Sequence, residues 1–223
     1  PETARRIEAS LRELREDPRI RVVLLRGAGG RTFCGGYDLT AVGTGVRDDE
    51  LQSMLRVLRS MPMPTVAVLD GHAVGAGLDL AASCDLRIVR AGSRIGLPAV
   101  RIGVAYDAEG LRRMVHSFPS LRRILLTGEI VEAAEVGGFA DRIATADEFE
   151  EAIVSVAESL ATASPASLSY MTAMTRPSEA LDVAAARRWR DQILDGPDPT
   201  IAAEARGRRD TPVFPDREVK VRS

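Results

Sequence analysis

Two glycine-containing turns and a small set of carboxylates carry most of the chemistry this sequence could perform. The first turn, TFCGGYDL (32–39), and the second, GHAVGAGLDL (71–80), each leave backbone N–H groups that no bulky side chain shields. Two such donors aimed at one carbonyl oxygen form an oxyanion hole, and a helix beginning at the second turn adds the positive end of its dipole. Neither turn is a nucleotide-binding fingerprint: the second lacks the G-x-G-x-x-G spacing, and the first has no lysine followed by serine or threonine. Tight turns that only pack strand on helix would look the same, so the plainer reading stays open.

Of the acids, Asp107 stands at the start of a helical stretch, where it serves either as a helix cap or as a proton-transferring base. Asp79 lies in a first helical turn, where negative charge is favourable with or without a catalytic role. Glu109 reads as a solvated first-turn acid. Cys34 adjoins Gly35 but has no histidine or lysine partner in sequence to activate it, and Cys84 ends an apolar helix and reads as core. His72 reads as a turn residue, and Trp189 as a packing anchor between helices or subunits.

The elements that must position these groups alternate. Helical spacing over 3–16 precedes a buried strand in IRVVLLR (20–26); a helix over 49–60 precedes the strand TVAVLD (65–70); a helix over 75–84 precedes DLRIVR (85–90). Such alternation predicts a mostly parallel α/β core. Beyond about residue 107 strand signals nearly vanish, and helices are expected near 108–117, 120–126, 147–163, 166–174 and 178–194. The expected division is a core over 1–143 and a helical C-terminal region over 144–223.

Composition narrows the function classes. The chain has 223 residues, 45% hydrophobic and 28% charged, enough to bury a full core. Thirty cations against 32 anions give a net charge of -2, which argues against a nucleic-acid binder. Two cysteines and two histidines argue against a disulfide framework and a metal centre. No apolar run approaches a membrane span and the first residues are amphipathic rather than signal-like, so no membrane role and a reducing, cytoplasmic setting are expected. Only Lys220 is a lysine, so 29 of the 30 cations are arginine. Their spread over nearly every helix reads mainly as a compositional habit.

The runs RVVLLRGAGGRTFCGGYDL, MPMPTVAVLDGHAVGAGLDLAASCDLRIV, RIGLPAVRIGV, LLTGEIVEAAEVGGFADRI and ASPAS, in this order over nearly the whole chain, resemble the crotonase (enoyl-CoA hydratase/isomerase) superfamily. The resemblance implies a spiral core of ββα repeats, a helical C-terminal region that forms trimers or pairs of trimers, and acyl-CoA thioester substrates. It implies no cofactor beyond the coenzyme A of the substrate. The family's two oxyanion donors fall on the amides of Gly35 and Ala76. Phe33, Tyr37, Asp38, Leu39, Gly75, Pro98, Ala99 and Tyr106 fall on or beside the substrate, with Asp38 reading as the residue that fixes its turn. Some arginines would meet the CoA phosphates, and Phe214 would lie near the adenine.

Two departures from the family pattern bear on the reaction. Hydratases of this family resemble one another in a pair of glutamates that position water; here those positions hold Asp79 and Ala99. An alanine exchanges no proton, so simple hydration would need another group. Asp107 matches the place where several isomerase branches, and a dehalogenase branch, put a working carboxylate, and one carboxylate suffices to move a proton between two carbons. Double-bond isomerisation through Asp107, with Asp79 as a second acid, is therefore the expected activity. The alternatives are an atypical hydratase using Asp79 with an acid such as Glu109, and a degenerate acyl-CoA-binding protein. The family's usual leading hairpin has no counterpart before the first helix, which reads as a core without that segment.

Overall fold

The computed structural model describes residues 2–37, 49–176 and 182–217. Its order is α1 (Glu2–Glu16), β1 (Val23–Arg26), β2 (Thr32–Cys34), α2 (Asp49–Arg59), β3 (Thr65–Leu69), β4 (His72–Val74), α3 (Ala76–Ser83), β5 (Leu86–Arg90) and β6 (Arg94–Gly96). Then come α4 (Ala108–Ser117), α5 (Arg122–Thr127), β7 (Ile130–Glu132), β8 (Arg142–Ala144), α6 (Phe149–Ala161), α7 (Pro165–Thr175), α8 (Val183–Leu194) and α9 (Asp198–Arg208).

From β1 to β6 consecutive strands go to different sheets. One sheet has the order β1-β3-β5-β8 and the other β2-β4-β6-β7, so each turn of the chain lays one strand in each before a helix returns it. The pairings are parallel except β6 with β7. This is the ββα spiral that the resemblance implies.

The central strand β3 is buried at all five residues, as a parallel strand covered on both faces must be. Its side chains alternate between two apolar clusters. Ala67 and Leu69 join the main core with α2, α3 and the apolar face of α1, whereas Val66 and Val68 meet Ile88, Ala144 and the α6 residues Phe149, Ala152 and Ile153. Helix α6 thus closes the outer face of the first sheet.

Three elements beyond residue 107 depart from expectation. Strands β7 and β8 add an edge to each sheet, but at three residues apiece they carry too little periodicity to be read. Helix α9 follows the break at Asp195-Gly196-Pro197 with little amphipathic pattern, burying only Asp198 and Ala205. The helices expected at 49–60 and 108–117 stand within a residue of those bounds.

Cys84, at the α3–β5 junction, is buried, and that burial pushes its thiol up to about 12. Cys34 is half-buried at the end of β2. Iodoacetamide at pH 8 is therefore expected to label Cys34 in the native protein and Cys84 only in denaturant, as read by peptide mass spectrometry. Labelling of Cys84 at a similar rate under native conditions would show the junction to be open.

Candidate active site

The parallel pairing of β2 with β4 puts the two glycine turns side by side, because each turn begins where its strand ends. Bare backbone then lets them touch. A Cβ on Gly36 (φ 89°) would stand 2.9 Å from the Val74 carbonyl oxygen and 3.3 Å from the Ala76 nitrogen; one on Gly77 would stand 2.1 Å from the Cys34 carbonyl oxygen. Gly75, at φ 60° and ψ -125°, is the N-cap of α3 and turns the chain into the helix.

Ala76 is the first residue of α3, so its N–H is among the donors a helix start leaves without an internal partner. Gly35 sits on the facing turn, and a Cβ there would meet no described atom within 4 Å. Two amides on touching turns, one at a helix N-terminus and one open to approach, are the elements of an anion-stabilising site.

Beyond Ala76, Asp79 has no accessible surface. Its Oδ1 forms an ion pair with Arg113 of α4 and its Oδ2 accepts a hydrogen bond from the Tyr106 hydroxyl at 3.1 Å. Asp107 is half-buried and is the N-cap of α4: its Oδ2 accepts the Gly110 N–H at 2.7 Å. Gly110 brings the two acids together, since a Cβ there would lie 2.8 Å from Asp79 Oδ2, 3.2 Å from the Tyr106 ring and 3.5 Å from Asp107 Oδ2. Among the described residues Asp107 Oδ1 has no hydrogen-bond partner.

Ala99 is buried in the 3-10 turn Pro98–Arg101, and Pro98 beside it is half-buried. Tyr37 and Tyr106 are half-buried and pack against the main core, whereas Phe33 is buried within that core. Asp38 and Leu39 lie outside the described residues. Glu109 is exposed, yet it bridges Arg59 at 2.8 Å and Arg113 at 3.8 Å.

The remaining candidates lie elsewhere. His72 is on β4, its Nδ1 accepting the Arg94 N–H at 3.1 Å. Trp189 meets Tyr170 edge to face at 5.4 Å, joining α8 to α7. The Phe214 carbonyl accepts from Arg21 at 3.0 Å, which fastens the C-terminal tail beside β1. No group of three metal-ligating residues occurs among the described residues, nor does any helix long and apolar enough to cross a membrane.

Arg113 and Gly110 were not legible as site residues. An acid inside the apolar run AGLDLAAS signals that a buried cation is required. With 29 arginines in the chain, nothing local selects the partner.

The sequence profile of the enoyl-CoA hydratase/isomerase family matches residues 1–199. A carnitinyl-CoA dehydratase of Proteus mirabilis is 29% identical over 178 residues, covering 76% of this chain and 68% of that protein. An (E)-benzylidenesuccinyl-CoA hydratase of Thauera aromatica is 31% identical over 182 residues, covering 75% and 69%. Among solved structures, an enoyl-CoA hydratase/isomerase family member superposes with a TM-score of 0.85 at 28% identity, covering 97% of this chain and 88% of that one. An enoyl-CoA hydratase/carnitine racemase from Magnetospirillum magneticum gives 0.86 at 25%, covering 95% and 85%. Fold, paired turns and profile agree: this chain belongs to the enoyl-CoA hydratase/isomerase (crotonase) family, whose members act on acyl-CoA thioesters.

Proposed function

We propose that this enzyme moves the double bond of an enoyl-CoA through a thioester enolate, with Asp107 as the base. One observation carries the reading. Of the three positions where the family pattern puts a working carboxylate, Ala99 has no acid and Asp79 has both oxygens engaged by Arg113 and Tyr106, while Asp107 has one oxygen anchored and the other unpartnered among the described residues. Capping and catalysis are then compatible, because the Gly110 N–H takes Oδ2 and leaves Oδ1 for substrate.

In this mechanism the thioester carbonyl oxygen accepts from the Gly35 and Ala76 N–H groups. Asp107 Oδ1 takes a proton from the γ carbon, and the electron pair moves through the former double bond onto the held oxygen. The same carboxyl then returns its proton to the α carbon, and the carbonyl re-forms. Proton count and charge balance without water or any further cofactor. A homotrimer or hexamer in a cytoplasmic setting belongs to the same reading; the exposed Met171, Val183 and Leu194 of the C-terminal helices are consistent with such contacts.

The names of the two relatives favour a second reading, hydration, with Asp79 and Glu109 as the acids. Incubating enoyl-CoAs in deuterated water separates the cases. Isomerisation gives label at the α or γ carbon without water addition, hydration gives a 3-hydroxyacyl product, and binding without exchange marks a protein that does not turn over.

Asp107→Asn keeps a capping oxygen, so it is expected to change stability little while lowering exchange by about 10²–10⁴-fold. Full exchange in a folded Asp107→Asn protein would overturn the assignment. Gly36→Ala is expected to part the two turns by forcing a methyl group against the Val74 carbonyl and Ala76 nitrogen. The loss should approach that of one oxyanion donor, about 10²–10³-fold in kcat, with a smaller change in KM. A mutant with wild-type kcat would show that contact between the turns is not what aligns the donors.

A further inference from the structure

On α2 and α4 several buried polar groups do not balance. Gln52 of α2 is 7% exposed, and neither its Nε2 nor its Oε1 has a hydrogen-bond partner. Arg113, with a side chain 9% exposed, leaves Nε and Nη1 without one, and Arg59 leaves Nη1. Gln52 and Arg59 are seven residues apart on one helix, about 20° from eclipsed, so they share a face. That face is turned toward α4, because Arg59 pairs there with Glu109 at 2.8 Å. Burial, and then the neighbouring Arg113 charge, pull the Arg59 guanidinium below its ordinary value.

The imbalance has a sign. On these three side chains four of the five unpartnered buried atoms are nitrogen donors, and the fifth, Gln52 Oε1, is the single acceptor. Leaving buried donors unmade is costly, so the cluster calls for oxygen acceptors from outside the chain. Its Arg113 end lies next to the candidate reaction centre. Asp79, which Arg113 grips, is three residues beyond Ala76 on α3, about 4.5 Å along the helix axis. An acyl chain whose carbonyl is held at Ala76 can therefore reach the cluster with a group a few carbons away.

We propose that Gln52, Arg59 and Arg113 form the receiving end of the acyl pocket and select acyl groups that carry an oxygen acceptor, a carboxylate or a neutral carbonyl or hydroxyl, several carbons from the thioester. The proposal rests on the acyl-CoA reading of the site and not on which reaction follows. Guanidinium and amide donors suit such an oxygen, whereas a plain alkyl chain would leave all of them unpaired.

The test is calorimetric binding of three saturated six-carbon esters: hexanoyl-CoA, 6-hydroxyhexanoyl-CoA and adipoyl-CoA. At least one oxygenated ester is expected to bind about tenfold tighter than hexanoyl-CoA. Preference for adipoyl-CoA alone would assign the recognition to the guanidinium charges, and preference for both to hydrogen bonding. In Gln52→Leu and in Arg59→Met, each checked for folding by thermal melt, the ratio of oxygenated to plain ester is expected to fall to within twofold. Each variant is its own control, since the ratio and not the absolute affinity is read. Equal or tighter binding of hexanoyl-CoA, or a ratio unchanged in both variants, overturns the proposal and leaves these donors to water. Binding of none of the three esters overturns it together with the acyl-CoA reading itself.

Discussion

A carboxylate with no accessible surface has to be neutralised where it lies, and for Asp79 that requirement fixes how α4 meets α3. Transferring an unpaired carboxylate out of water costs several kcal/mol, and removing one partner from a buried ion pair costs about 3–5 kcal/mol. Arg113 meets the need from the second turn of α4 and the Tyr106 hydroxyl meets it from the residue before the Asp107 cap. Both can reach only because Gly110 has no side chain: a Cβ there would collide with Asp79 Oδ2. Satisfying one buried charge thus sets the first turn of α4, and that turn holds Asp107.

The other half of the site follows from the way the spiral is wound. Because the first six strands enter the two sheets alternately, the short strands β2 and β4 lie side by side and their exits are adjacent. Adjacent exits become touching backbones only when side chains are absent from both, which is what Gly36, Gly75 and Gly77 supply. Gly75 further needs its positive φ to send the chain into α3 with the Ala76 N–H at the helix start. The donors therefore rest on main-chain geometry set by sheet register, a more rigid support than any side chain.

The long helices and the buried strands were legible because their apolar spacing is strong: α2 and α4 stand close to their expected bounds, and the strand reading of TVAVLD matches β3. The three-residue strands were not, since two or three alternating residues next to a glycine turn cannot be told from loop; β2 and β4 hide inside the very motifs that were read as turns. At the candidate site, Gly35 and Ala76 come from the family resemblance, and Asp79 and Asp107 from acids standing at helix starts. The engagement of Asp79, the closeness of the two acids around Gly110 and the unpaired donors at Gln52 and Arg59 were not. Each depends on α2, α3 and α4 packing together, and no window of sequence contains all three. Asp107 shows the same limit differently: cap and base looked exclusive in sequence, whereas the structure gives the two carboxylate oxygens separate environments.

The arginine excess, read as habit, acquires a physical use where chain segments must be tied through their carbonyls. Arg176, after α7, donates to both Asp85 oxygens at 2.7 Å and to the Arg59, Met61 and Met63 carbonyls at 2.7, 2.6 and 3.4 Å. Asp85 in turn accepts the Thr65 N–H at 2.7 Å, so one guanidinium anchors a C-terminal helix, the end of α2 and the entry to β3. Arg87 is used similarly, spanning the Phe139 and Cys84 carbonyls and Asp141 while lying 4.5 Å from the centre of the Phe118 ring. A lysine has three donors radiating from one atom and no flat face, so it could neither span such separated acceptors nor stack on the ring. Arg113 makes the argument for the site: one edge of its fork is taken by Asp79, Nη1 stands 3.8 Å from Glu109, and neither Nη1 nor the buried Nε makes a hydrogen bond. The planar spread that makes arginine a good staple elsewhere is what, beside Asp79, leaves hydrogen-bonding capacity unused.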